Sequence, residues 1–383
     1  MGPCMRVGFQ SAPSRSAQNS SAMQCARFCV GGVSVQIEGA RGTDVALGFP
    51  LEPFRIEAGS SDIRIRVDWT SGLPLARGAE TFDSGGVWRL HERAGGFRFD
   101  FSARHLGERP YKRLLVDDSF RCATLQMSEE CFTRVSYPVE PLEYPLDELL
   151  IMHRLTQERA IELHSCGIVR PDGTGNLFVG HSGAGKSTTT RLWTEQEDVE
   201  VLSDDRIIVR RDEVRGGGDR SGVETPGGIA GAEELQQVVR LRDCSASRTS
   251  HFAQDDRADN NRRARRDGGN TKYLARDYKG KTNSQIRMYG TPWHGEAMYA
   301  SPGSASLTRM FILEHGQGNV ITRLSPSQAV AELFARSFVP FHRHEYVDSA
   351  LDFLQELVAA VPCYHYAFEP NQRAVETILN FHD

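Results

Sequence analysis

The sequence predicts an α/β protein in which a small, mostly antiparallel β domain precedes a layer of alternating strands and helices. Three observations carry this. Residues 28–140 fall into short runs of alternating apolar and polar residues, separated by Gly, Pro and Asp clusters, which is the pattern of half-buried strands. From Pro145 the apolar spacing becomes that of a helix. A strand, a glycine-rich turn and a helix then follow one another over 176–195, an order that implies an α/β layer.

Composition sets the frame. The chain has 383 residues, 39% of them hydrophobic and 25% charged. That is ordinary globular composition, long enough for two to three domains. Net charge is −5 and the isoelectric point about 6.2, so no basic field recommends a nucleic-acid or membrane partner. No apolar run approaches the roughly 18 residues of a membrane span. The eight cysteines are scattered without a Cys-x-x-Cys pair, as expected of reduced thiols in a cytoplasmic protein.

Taken in order, residues 1–27 are Ser-rich, carry Arg6, Arg15 and Arg27, and hold no acid. They read as a disordered tail, with Met23 an alternative start, and they lack the apolar core of a secretory signal. An Arg-rich, acid-free transit peptide is the other reading of that stretch. The β domain, 28–140, is expected to contain strands at Cys29–Glu38, Ile63–Trp69, Val87–Glu92, Phe97–Ser102, Tyr111–Val116 and Cys122–Met127. Phe97, Phe99 and Phe101 alternate and so share one face, the one turned to the core. A helix follows Pro145, with Asp147 and Glu148 suited to its positive end. Strands are expected at Ile161–Val169, Asn176–Gly180 and Val199–Arg210, with a helix from Lys186 to about Glu195.

Residues 212–286 break the pattern. They are rich in Gly, Asp and Asn, and Arg262, Arg263, Arg265 and Arg266 are interspersed with acids. This reads as an inserted, disordered, solvated loop within the second domain, 141–383. Order returns at Met288. A strand is expected at Leu307–Glu314, helices at Ser325–Arg336 and Tyr346–Val361, a strand at Cys363–Phe368 and a helix at Gln372–Phe381.

Two motifs carry chemistry. Gly180-His181-Ser182-Gly183-Ala184-Gly185-Lys186-Ser187 follows the pattern Gly-x-x-x-x-Gly-Lys-Ser/Thr, with Thr188 next. Glycines permit a loop whose N–H groups converge on phosphate oxygens, and the following helix presents its positive end to the same anion. Lys186 then reaches the outer phosphates, and Ser187 is a ligand for Mg²⁺. Lys occurs at only five positions among the 45 basic residues, so a chance match is rare. The second motif is Leu202-Ser203-Asp204-Asp205, two acids inside an apolar run. Asp is disfavoured within strands, and adjacent strand residues project to opposite faces unless the strand bends. One acid can then serve Mg²⁺, through Asp205, while the other meets the substrate. A turn between two short strands is the alternative.

Together these motifs resemble the HPr kinase/phosphorylase family, including the HPr-kinase-like enzymes of peptide-maturation clusters. More distantly they resemble the ATP-dependent phosphoenolpyruvate carboxykinases. Leu163-His164-Ser165-Cys166-Gly167-Ile168-Val169 is similar to that family's His-Gly strand, and Tyr289-Gly290-Thr291-Pro292-Trp293-His294-Gly295-Glu296 to a motif of its HPr-kinase-like branch. The likeness covers roughly residues 140–211 and 287–380. It implies a P-loop kinase domain and ATP-dependent, Mg²⁺-assisted transfer of a phosphoryl group to a hydroxyl, on a protein or peptide serine or a small metabolite. In that reading Asp204 accepts the hydroxyl proton, His164 contacts the transferring group, Glu296 is a second metal-side acid and His294 binds acceptor or phosphate. Trp293 reads as a core anchor. Relatives commonly form homo-oligomers.

Two departures count against HPr itself and against the reverse reaction. Thr188 stands where classical members have Glu, and their C-terminal phosphorolysis signature is not visible. Two other functions fit the motifs: a carboxykinase acting on a small acid, and a non-catalytic, ATP-dependent binding module.

Overall fold

A computed structural model of the chain describes residues 25–40, 44–75, 80–131, 140–196, 198–212 and 286–382. The bulk of the expected tail and residues 213–285 of the expected insertion lie outside the described residues. The chain forms two β-sheets; the helix over 146–155 joins the core of the first, and the later helices pack on the second.

The first sheet has eight strands: β1 (Cys25–Val30), β2 (Val33–Gly39), β3 (Ile63–Thr70), β4 (Phe82–Asp83), β5 (Trp88–Arg93), β6 (Gly96–Phe101), β7 (Lys112–Asp117) and β8 (Cys122–Ser128). Their order is β1-β2-β3-β8-β7-β6-β5-β4. The pairs β2–β3 and β3–β8 are parallel and the rest antiparallel. The single strand expected at Cys29–Glu38 is instead a hairpin whose first strand begins at Cys25, inside the stretch read as tail. Its turn is Gly31–Gly32, with φ of 58° and 76°. Two successive left-handed residues make the two-residue turn that matches strand twist, and Gly-Gly supplies them without strain. Phe97, Phe99 and Phe101 are all buried on the core face.

Helix α1 (Leu146–Leu155) leads into the second sheet. That sheet comprises β9 (Ala160–Val169), β10 (Thr174–Val179), β11 (Glu200–Ser203), β12 (Arg206–Arg211), β13 (Ile286–Tyr289), β14 (Ser304–His315), β15 (Val320–Arg323), β16 (Ser337–Phe338) and β17 (Cys363–Phe368). Helix α2 (Lys186–Gln196) connects β10 to β11. Helices α3 (Pro326–Phe334), α4 (His344–Ala360) and α5 (Arg373–Leu379) belong to the C-terminal part. Pairing closes on itself through five strands: β9 with β10, β10 with β14, β14 with β13, β13 with β12, and β12 back to β9.

The register of β9 positions the site. Strand β10 pairs along one edge of β9, with Val179 opposite Ser165. Strands β11 and β12 pair along the other edge, with Ser203 opposite Gly167 and Arg206 opposite His164. The turns after Val179 and Ser203 therefore emerge on either side of His164. Among the described residues, no helix is long and apolar enough to cross a membrane.

The two sheets share a core. Ile208 of β12 and Trp293 pack with the side chains of the first sheet and α1. Arg210 donates to the Gly31 carbonyl at 3.2 Å.

Candidate functional site

The glycine-rich loop spans the gap between β10 and α2. Gly183 and Gly185 have φ of 80° and 102°, and a Cβ on Gly185 would come within 2.4 Å of Phe368 Cζ. The loop therefore owes its shape to glycine at that position. Thr189 N donates to Gly185 O at 2.8 Å, which starts the helix. Thr190 Oγ1 donates to Lys186 O at 3.0 Å. Ser187 and His181 are exposed beside the loop, and Thr188 is half-buried.

Lys186 is buried, and its Nζ donates to Gly180 O at 3.1 Å and His181 O at 3.3 Å. Burial lowers its ammonium below the ordinary lysine value, partly offset by Asp205. The same Nζ is 2.8 Å from His164 Nε2. That nitrogen is in turn 2.9 Å from Asp205 Oδ1. A single ring nitrogen cannot accept from Lys186 and donate to Asp205 at once. A bare Nε2 pairs with Lys186, and a protonated one with Asp205.

The acids do not lie in one continuous strand. Asp204 and Asp205 form a bend between β11 and β12, and Ser203 makes it: its Oγ accepts from Asp205 N and Arg206 N, each at 3.3 Å. The bend is a correction to the strand expected over Val199–Arg210. It gives the acids different surroundings.

Asp204 is only 1% exposed. Its Oδ1 accepts from Gly295 N and its Oδ2 from Ala297 N, each at 2.9 Å. Asp205 keeps 22% of its side chain exposed, and its Oδ2 pairs with Arg206 Nη1. Burial alone would raise Asp205, but the His164 hydrogen bond and the charges of Arg206 and Lys186 outweigh it and hold the carboxyl below its usual range.

Of the loop over Thr291–Glu296, Trp293 is buried and donates from Nε1 to Asp147 Oδ2 at 3.0 Å, as an anchor should. His294 Nδ1 is 3.0 Å from Gly295 O, and Glu296 is exposed on the same loop. The structure thus brings together Lys186, His164 and Asp205 at the mouth of the glycine-rich loop, with Ser187 beside it. Asp204 lies behind, tied to the Gly295–Ala297 backbone.

Among the described residues, no group of three or more His, Cys, Asp or Glu is arranged to hold a metal ion. Mg²⁺ usually takes one or two protein oxygens, with phosphates and waters completing its shell. The Ser187 hydroxyl and the Asp205 carboxylate are a donor set of that kind.

Sequence reasoning missed Ser203, Arg206 and Glu162. Glu162 carried a signal, since it is an acid inside the apolar run Ile161–Val169. No protein-family model matches this chain, and none of the curated proteins does.

Proposed function

We propose that the protein is an ATP-dependent phosphotransferase of the kind its motifs resemble, moving the terminal phosphoryl group of ATP to a hydroxyl. The observation that supports this best is the convergence of Lys186, His164 and Asp205. These three come from a helix, a strand and a bend, and meet within 2.8 and 2.9 Å beside a glycine loop. Phosphoryl transfer asks a protein mainly for positioning and charge neutralisation, and this arrangement supplies both.

In the proposed mechanism the loop amides and Lys186 hold the outer phosphates, with Lys186 exchanging the Gly180 and His181 carbonyls for phosphate oxygens. Ser187, with Asp205 through water, would hold Mg²⁺, which would supply charge neutralisation on the phosphates. The acceptor oxygen attacks the terminal phosphorus, and the bond to the bridging oxygen breaks with its electron pair leaving on ADP. The hydroxyl proton passes to a lone pair of the Asp205 carboxylate that His164 and Arg206 leave open, which requires Asp205 to serve Mg²⁺ through water. His164 contacts the transferring group and keeps Asp205 in place.

This division of labour differs from the one the family resemblance implies. Asp204 is occupied by two backbone amides, so holding the Gly295–Ala297 loop is the role that suits it, and Asp205 takes the chemistry. Glu296, exposed on that loop, keeps the metal-side role that the resemblance implies, and His294 the contact with acceptor or phosphate.

The test is Mg²⁺-dependent ATP turnover by the purified protein, with labelled phosphate followed into the protein and small-molecule fractions of an added cell extract. The native protein should transfer label, and Lys186→Ala should not. Nucleotide binding by the native protein without any transfer would overturn the kinase reading in favour of a binding module.

A further inference from the structure

We propose that Arg206 is a positioning residue for Asp205, clamped from behind by two buried glutamates so that its guanidinium fixes one carboxylate oxygen at the mouth of the phosphate loop. The inference rests on the reading that Asp205 serves the phosphates.

Four elements converge on this side chain. Nη1 pairs with Asp205 Oδ2. Nε pairs with Glu148 Oε1, from the first turn of α1, and is 3.5 Å from Glu162 Oε1 of β9. The guanidinium carbon lies 4.7 Å from the centre of the Phe338 ring of β16, and that ring meets His164 edge-on at 6.1 Å. The backbone is held as firmly: Arg206 N donates to Ser203 Oγ at 3.3 Å, and Arg206 O accepts from Thr291 Oγ1 at 2.7 Å.

The geometry needs arginine. Its planar cation reaches Asp205 with a hydrogen bond from Nη1 while Nε lies beside the two acids as a charge contact without a hydrogen bond, a span that a single ammonium cannot cover. Asp205 then has both oxygens assigned, Oδ1 to His164 and Oδ2 to Arg206. It cannot rotate without breaking one of them.

A merely structural ion pair is the competing account, and it is a weak one. Burying charges gains little stability, and such clusters are often replaceable by apolar residues. This one places two carboxylates behind a guanidinium, with Glu162 fully buried. Burial, with Glu148 next to it, pushes Glu162 well above its ordinary value.

The test has two readouts on the full chain. The first is the ¹⁵N signal of His164 Nε2, which reports whether Asp205 stays against it. Arg206→Met should shift that signal, and Arg206→Lys should restore it only in part. Because Arg206→Met leaves two acids behind, a triple variant, Arg206→Met/Glu148→Gln/Glu162→Gln, removes both sides of the buried charge and should show the same shift. A His164 signal unchanged in the folded triple variant would overturn the proposal.

The second readout is the Mg²⁺ concentration needed for half-maximal ATP turnover. It should rise roughly 10- to 100-fold in Arg206→Met, the range for losing a residue that orients a metal ligand, with partial recovery in Arg206→Lys. Equal Mg²⁺ dependence in wild type and variants would also count against the proposal. An inactive native protein would sink the phosphotransferase reading, while the His164 signal would still decide the placement of Asp205.

Discussion

Two neighbouring aspartates in one sequence do different things because their oxygens meet different partners. Asp204 accepts two backbone amides at 2.9 Å from the loop that follows Trp293. Asparagine in its place would turn an amide N–H toward one of those donors and leave it unpaired, at a cost of about 1–3 kcal/mol. Asp205 faces His164 and Arg206 at a partly open edge. Asp204→Asn should therefore lower the thermal midpoint clearly, and Asp205→Asn should lower it less. Turnover should behave the other way round, with Asp205→Asn losing roughly 10²-fold or more, the size expected of a group that handles the acceptor proton. Thermal unfolding and ATP turnover on the two variants check both halves. If Asp204→Asn alone abolished transfer with an unchanged midpoint, Asp204 would be the base.

At the scale of elements, the clearest isolated prediction concerns helix α3. Ser325 accepts from Gln328 N at 3.4 Å, and the Gln328 side chain reaches back to Ser325 N at 3.1 Å, a reciprocal cap with Pro326 at the first helical position. Ser325→Ala should cost about 1 kcal/mol, read as a lower denaturant midpoint with an unchanged slope. Elements marked by local chemistry were readable from the sequence in this way. The strand at Cys363–Phe368 has the expected bounds, and α2 starts at Lys186 as the loop motif requires. What the sequence hid depended on distant pairing. Val199–Arg210 is apolar on both sides of its acids and reads as one strand; only the pairing of both halves with β9, and Ser203, break it. The Gly31–Gly32 hairpin carries a signal that a single-strand reading passes over: Ala26, Phe28 and Val30 are out of phase with Val33, Val35 and Ile37, and the break falls on the two glycines. His164 was legible as a candidate through a resemblance, but its meeting with Asp205, 41 residues away, depends on strand register. Glu148 reads locally as a first-turn acid, and nothing in the nearby sequence connects it to Arg206.

At the scale of the whole molecule, the seam between the two sheets contains buried titratable groups of opposite kinds, and they shape stability against pH. His153 of α1 is buried against Phe120, Phe99, His342 and Tyr346, with its Nδ1 2.6 Å from Leu149 O. Burial, reinforced by His342, pushes its imidazole down to about 3. Below the ordinary value of about 6.5 the unfolded chain takes up a proton that the folded one refuses, so the stability contributed by His153 is lost as pH falls from about 6.5 toward 3. Asp147, bonded to Trp293 at the other end of the seam, is pushed up to about 6, chiefly by burial. Its sign is opposite: the folded form keeps its proton, so its contribution is present below about 4 and lost as pH rises through 6. Between pH 6 and 4.5 the two slopes oppose and nearly cancel. Each amounts to about 2 kcal/mol over that 1.5-unit window, at about 1.4 kcal/mol per pH unit. Removing one exposes the other. Relative to wild type, Asp147→Asn, which can still accept from Trp293, should lose about 2 kcal/mol on going from pH 6 to 4.5, and His153→Phe should gain about 2 kcal/mol over the same interval. Taking each variant's difference from wild type at both pH values cancels the titrating groups that interact with neither side chain; Glu162, which Asp147 helps to raise, and His342, which helps to lower His153, respond to the substitutions and belong to the measured differences. Denaturant unfolding of the three proteins at pH 6 and 4.5 measures it, and variant-minus-wild-type differences that do not change with pH would show that neither group titrates differently in the folded chain.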